Sequence, residues 1–389
     1  MHIALICHDF PPFAYGGVAS SCFDLARNLV LEGVKVDVFC GSRSEASRQS
    51  DDGFRITCFP SQGLAPRLSF MLNNSYALVS RIAEADVDVV HAFSSFGFLV
   101  DLIKNRTKKP VLSNIHGVPH RAFSTFLFSP LTSWSLGDFA SDFLGYPVSS
   151  ILMKTTLRKS NYVVFPSLHC LADTLSSYRD SVSQFSIIPN GVDFESPYFR
   201  NTRPSSEESS SIVYCGRLTW IKGIVFLLKA FSMLAKKSKD ATLEIIGWGP
   251  MGPYAQSLVS GLGLQRRVRF IGAVPRGRAI QEISNAAFLA LPSLNENGPV
   301  VAYEAMGLAK PVVAFNFSFA REFIVDNYNG LLARQADPHD LADRMLTLLN
   351  DRDMIVRLGQ NAHVYAKAKH NWSINVKKYV MIYTNLATN

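Results

Sequence analysis

Two glutamates, Glu296 and Glu304, stand in the stretch Pro292-Ser293-Leu294-Asn295-Glu296-Asn297-Gly298-Pro299-Val300-Val301-Ala302-Tyr303-Glu304-Ala305-Met306-Gly307. An ionised carboxylate only accepts hydrogen bonds, so such a pair suits a ligand rich in hydroxyls. Between them, Gly298 lets the backbone approach a ligand closely, and Pro299 suits the first position of a helix. The free amides of a helix start, reinforced by the macrodipole, bind anions. Acids beside an anion site fit a ligand carrying both hydroxyls and phosphate, as a nucleotide sugar does. At about 100° per residue the two acids lie roughly 80° apart. Glu296 therefore belongs to the loop at the helix tip, and Glu304 lies about a turn and a half inside. On spacing alone, a solvated pair of acids around an ordinary strand–helix loop fits as well.

Two cations flank another helix start, in Gly216-Arg217-Leu218-Thr219-Trp220-Ile221-Lys222-Gly223. Arginine offers a planar bidentate fork and lysine a compact point charge. Arg217 and Lys222 are expected to face the same anion as the helix tip at Gly298; as two solvated loop cations they would have no such role. Near the N-terminus an apolar run, residues 3–7, leads into a loop with Gly16 and Gly17 and then a helical pattern from Val18 to Leu31. Strand, Gly-rich loop and helix form a phosphate-binding type of arrangement. A strict G-x-G-x-x-G is absent, which leaves dinucleotide binding poorly supported. His8, His91, His116 and His120 are single histidines, a class that more often makes structural hydrogen bonds. His91 and His116 follow strand patterns, and the carboxyl ends of parallel strands face the ligand crevice in open α/β sheets.

The E-x(7)-E spacing in "PSLNENGPVVAYEAMGLAKPVVA" closely resembles the donor-site signature of retaining glycosyltransferases of family 4. The resemblance extends to Gly216-Arg217-Leu218 with Lys222-Gly223, to Pro189-Asn190-Gly191-Val192-Asp193 and to Gly16-Gly17. Together these cover most of the chain in the family's order. Asn297 departs from the pattern, because an aromatic residue often follows the first glutamate. The resemblance implies an α/β chain of GT-B architecture: two Rossmann-like doubly wound domains facing a central cleft, with a C-terminal helix crossing back to the first. Residues 1–190, completed by 372–389, would bind the acceptor; residues 191–371 would bind the nucleotide-sugar donor.

The same resemblance implies catalytic roles for His116, Glu296, Arg217 and Lys222. Donor contacts would come from Gly16, Gly17, Arg217, Lys222, Val274, Asn297, Gly298, Pro299, Val300 and Glu304. Glu296 would hold hydroxyls of the donor sugar and Glu304 those of the ribose. His116 would also reach the sugar, and residues from Val274 onward would meet the base, mostly through backbone. Retention by same-face attack is implied, with the leaving phosphate oxygen taking the acceptor's proton. Arg217, Lys222 and the helix end near Gly298 would supply the positive charge at the leaving group, so neither metal nor cofactor is expected.

The elements that position these groups follow from hydrophobic patterning. Strands are expected at 34–40, 54–59, 87–93, 111–115, 162–166 and 185–188 in the first half. In the second half they are expected at 211–215, 243–246, 268–273, 288–291, 311–315 and 331–333. Residues 42–53 read as a polar, exposed connection, and 201–211 as a mobile surface loop. A helix over 66–84 carries more apolar residues than one buried face needs, with Arg67 and Arg81 among them. Core packing explains it best, with seating on an anionic membrane as the alternative. The stretch 121–157, crowded with Phe123, Phe126, Phe128, Trp134, Phe139, Phe143 and Tyr146, suits acceptor specificity or a dip into a bilayer interface, and a pair of helices capping the core fits it equally.

The 389 residues suggest about two domains. A formal charge of +8 favours anionic partners, but no Lys/Arg-dense run or zinc spacing points to nucleic acid. Cys7, Cys22, Cys40, Cys58, Cys170 and Cys215 form no C-x-x-C and read as buried reduced thiols. Without a signal-peptide pattern or a spanning apolar run, the expected place is the cytoplasm, with peripheral contact at the inner face of the membrane left open. The expected activity is transfer of a sugar from a UDP- or GDP-sugar to a glycan or lipid-linked acceptor. A phosphorylase, a sugar-nucleotide epimerase and a non-catalytic nucleotide-sugar-binding subunit are the alternatives.

Overall fold

Runs such as Ile3-Ala4-Leu5-Ile6-Cys7 have no polar side to give to water and become central parallel strands. The computed structural model describes residues 1–13, 16–42, 44, 46–61, 66–120, 123, 145–182, 184–200, 209–317 and 319–388. The chain divides into two units: one ends at Asn190 and resumes at Trp372, and the other is Gly191–Asn371.

The first unit contains β1 (His2–Cys7), α1 (Gly17–Leu31), β2 (Lys35–Ser42), β3 (Ala46–Gln49), β4 (Arg55–Pro60), α2 (Pro66–Glu84) and β5 (Val89–Ala92). It continues with α3 (Phe98–Thr107), β6 (Val111–Asn114), α4 (Tyr146–Lys159), β7 (Tyr162–Phe165), α5 (Leu168–Tyr178) and β8 (Phe185–Ile187). The second unit holds β9 (Ser211–Cys215), α6 (Ile224–Lys237), β10 (Thr242–Ile246), α7 (Gly252–Gly261), β11 (Val268–Gly272) and α8 (Arg276–Asn285). Then come β12 (Phe288–Leu291), α9 (Val300–Gly307), β13 (Val312–Phe315), β14 (Gly330–Ala333), α10 (Pro338–Asn350) and α11 (Arg352–Lys369). A last helix, α12 (Trp372–Thr388), belongs to the first unit.

The first sheet runs β3-β4-β2-β1-β5-β6-β7-β8 and is parallel except at β3–β4; the second runs β11-β10-β9-β12-β13-β14 and is parallel throughout. Successive side chains of a strand point to opposite faces. Accordingly Ile3, Leu5 and Cys7 pack with α1 and α12, while Ala4 and Ile6 pack with α2 and α3. Val192 donates to the carbonyl of His370 at 2.7 Å, tying the two ends of the second unit together.

Two sequence expectations need correcting. Residues 42–53 are not wholly a loop, because β3 pairs antiparallel with β4, Ser47 opposite Thr57 and Arg48 opposite Ile56. A polar edge strand lacks the apolar alternation that marks a half-buried one. The helices α7 and α8 were also missed; both are short, and Gly252, Gly261 and Gly277 weaken their helical signature. In α2, Phe70, Met71, Leu78 and Val79 are buried in the core, leaving Leu72 and Tyr76 on the outside. The stretches 124–144 and 201–208, including most of the expected acceptor lining, lie outside the described residues.

His91 shows why α12 stays with the first unit. Fully buried on β5, it bonds Tyr383 of α12 through Nδ1 at 2.7 Å and Asn114 of β6 through Nε2 at 3.0 Å. Asn114 in turn donates to the Tyr379 hydroxyl at 2.7 Å. Burial pushes the His91 pKa from 6.5 down to about 3, outweighing the bond that Nε2 donates to the Asn114 side-chain oxygen, so the folded ring is neutral. The unfolded chain takes up that proton near its ordinary pKa. Stability from this site is therefore complete above about pH 6.5 and is lost as pH falls toward 3. Between pH 7 and pH 5 the loss is about 2 kcal/mol. Denaturant unfolding of wild type and His91→Gln at both pH values checks this: the wild type should lose that much more than the variant. Equal losses would mean that His91 is not held neutral.

Candidate functional site

The second unit assembles its site from loops at the carboxyl ends of adjacent strands. After β9 the chain makes a short 3-10 turn at Trp220–Lys222 and enters α6 through Gly223. Gly223 has φ +71°, and a Cβ there would stand 1.8 Å from the Pro292 carbonyl oxygen. Only glycine allows the loop after β9 to lie this close to the loop after β12. Leu294 N–H donates to the Ile221 carbonyl at 2.8 Å, and the two loops are locked together.

That docking brings Lys222 to Glu296. Lys222 Nζ lies 2.5 Å from Glu296 Oε1, with the carboxylate side chain 9% exposed and the lysine 31%. Ser293, itself buried, donates its hydroxyl to the same oxygen at 2.8 Å. The Lys222 charge, expected to face an anion, rests on Glu296, so the pair forms one unit.

Beside this pair α9 begins without a side-chain cap. Pro299 is the cap residue, not the first helical one, which corrects the expectation for it. Ala302 and Tyr303 N–H groups turn back to the Pro299 carbonyl, while the amides of Val300 and Val301 stand at the tip, where helix geometry offers no internal acceptor. Gly298 precedes them with φ +153°. The Asn297 side-chain oxygen is buried without a hydrogen-bond partner among the described residues. Arg217 opens the loop after β9 and is exposed, its carbonyl accepting from the Tyr214 hydroxyl at 2.9 Å.

Glu304, inside α9 and 7% exposed, has its own cation: Arg276 Nε donates to Oε1 at 2.7 Å. Arg276 starts α8, directly after Val274 and Pro275. Each glutamate is thus matched by a cation from a different loop. Sequence reading missed Arg276 and Ser293. An arginine just after a Val-Pro strand end was the available sign for the first, and the Pro-Ser step before Glu296 for the second.

The first unit carries the remaining candidates. Gly16, with φ +157° and open space around it, precedes α1, which starts at Gly17 with no side-chain cap. His116 lies just beyond β6, half-buried, its ring 4.8 Å from that of Phe93. His91 has the structural role described above, and His8 bonds Asp9 and Ser61.

Comparison with known proteins agrees with this architecture. Residues 15–196 match the family described as Glycosyltransferase Family 4, and residues 197–364 match Glycosyl transferases group 1. An uncharacterized glycosyltransferase of Methanocaldococcus jannaschii is 24% identical, with 98% of each chain covered. The structure is similar to sucrose-phosphate synthase of Thermosynechococcus elongatus, at a TM-score of 0.81 and 20% identity, covering 99% of this chain and 98% of that one. It also resembles Anabaena HepE in complex with UDP-glucose, at a TM-score of 0.73 and 17% identity, covering 99% and 100%.

Proposed function

The chain belongs to the family 4 glycosyltransferases of the GT-B fold, and we propose that it transfers a sugar from a UDP- or GDP-sugar to a hydroxyl of a glycan or lipid-linked acceptor, with retention and without a metal. The observation that carries this reading is the Lys222–Glu296 pair, pinned by Ser293 beside the uncapped start of α9. A pyrophosphate needs fixed positive charge and free amides; a sugar needs buried acceptors. The loop offers both within a few residues.

In the proposed reaction the bond between the anomeric carbon and the phosphate oxygen breaks, and its electron pair leaves with the nucleoside diphosphate. Lys222, Arg217 and the amides of Val300 and Val301 stabilise that charge, which is the largest requirement of the step. The acceptor oxygen bonds the same face of the anomeric carbon, and its proton passes to the departing phosphate oxygen. Glu296 takes hydroxyls of the sugar, Glu304 those of the ribose, and Val274 the base through its backbone. Asn297 lines the sugar side. The outer side of α2, with Leu72 56% and Tyr76 75% exposed, supports peripheral contact with a membrane surface; no described helix is long and apolar enough to cross one.

Because protein groups supply the charge, transfer is expected to survive full removal of divalent metal. Product formation from UDP- and GDP-sugars with and without EDTA checks this, with the product's anomeric configuration read by NMR. Strict metal dependence would overturn the charge assignment, and an inverted anomer would overturn retention.

A further inference from the structure

The first turn of α8 holds Arg276 and Arg278 and no acid. Cations there oppose the helix macrodipole, so local helix chemistry does not account for Arg276. Exposure does not account for it either, because its side chain is only 14% exposed. It is instead spent on Glu304, 2.7 Å from Nε to Oε1, at a carboxylate 9% exposed. Glu304 also lies near the end of β9: after burial, its charge is the next cause that pushes the Cys215 thiol up to about 12. A carboxylate this deep stays ionised only with a cation and donors beside it, and the guanidinium also pins one of its oxygens.

We infer that Arg276 is a positioning residue which, through Glu304, makes the site read the ribose of the nucleoside diphosphate. The inference rests on Glu304 taking the ribose, as proposed above. A ribose diol donates a bond from each of two neighbouring hydroxyls, so both carboxylate oxygens must be presented at a set angle. A 2′-deoxyribose donates only one and tolerates a turned carboxylate. Arg276 therefore matters for discrimination between the two sugars more than for affinity as such.

The test is calorimetric binding of UDP with 2′-deoxy-UDP, and of GDP with 2′-deoxy-GDP, to wild type, Arg276→Gln and Arg276→Lys, each checked for folding by circular dichroism. The wild type should prefer the ribonucleotide of its own base by about tenfold, the scale of one hydrogen bond to a charged group. Arg276→Gln should bring that ratio close to one by weakening the ribonucleotide while leaving the deoxynucleotide within about twofold. Arg276→Lys, which keeps the charge but not the fork, should fall between them. It also serves as the decisive variant should the glutamine form not fold. An unchanged ratio, or equal weakening of both nucleotides, would overturn the positioning role. A wild type that binds both forms equally would instead overturn the assignment of Glu304 to the ribose, and the inference with it.

Discussion

Lys222→Ala is expected to lower kcat/KM for sugar transfer by about 10²–10³, the usual cost of removing one preorganised charge from a developing anion. The same change should weaken binding of UDP or GDP while the protein stays folded. Lys222 is 31% exposed on its side chain and its loop is held by backbone contacts, Gly223 against Pro292 and Leu294 to Ile221, that do not need the amine. Steady-state kinetics beside a thermal melt reads both effects. Normal turnover in the variant would remove Lys222 from the reaction.

Glu296→Gln should separate the two halves of the pair. The amide keeps the shape and can still accept from Ser293, but it no longer neutralises Lys222. Transfer from the nucleotide sugar should fall about 10–10²-fold in kcat/KM, the scale of lost hydrogen bonds between sugar hydroxyls and a charged acceptor. The bare nucleoside diphosphate, which has no sugar to lose, should bind at least as tightly, since Lys222 is released toward phosphate. Isothermal titration with UDP and GDP beside the kinetic assay distinguishes these effects. If nucleotide binding and transfer fall together, Glu296 acts by holding the loop and not by gripping the sugar.

The fold was legible because its signals are local. Apolar runs such as 3–7, 211–215 and 288–291, each followed by a turn and a helical pattern, announce parallel strands with crossover helices, and the two sheets have that form. Polar β3 gave no such signal, because an edge strand with one neighbour has little to bury. The candidate site was legible only in part. Glu296, Glu304, Arg217 and Lys222 declare themselves by type and by their place at helix starts. Which cation meets which acid is a matter of register between loops far apart in sequence. Lys222 reaches Glu296 because β9 and β12 are neighbours in the sheet. Arg276 reaches Glu304 from a helix that periodicity failed to reveal. Spacing cannot supply such pairings, since they are set by strand order.

The central claim is that the Lys222–Glu296 pair and the start of α9 form the pyrophosphate site of a nucleotide-sugar donor. A crystal structure with UDP or GDP bound tests it most directly. The terminal phosphate should lie about 3 Å from Lys222 Nζ and from the amide of Val300 or Val301, with the ribose hydroxyls at Glu304. Phosphates seated elsewhere, with Lys222 still closed on Glu296 and the helix start facing only water, would contradict it.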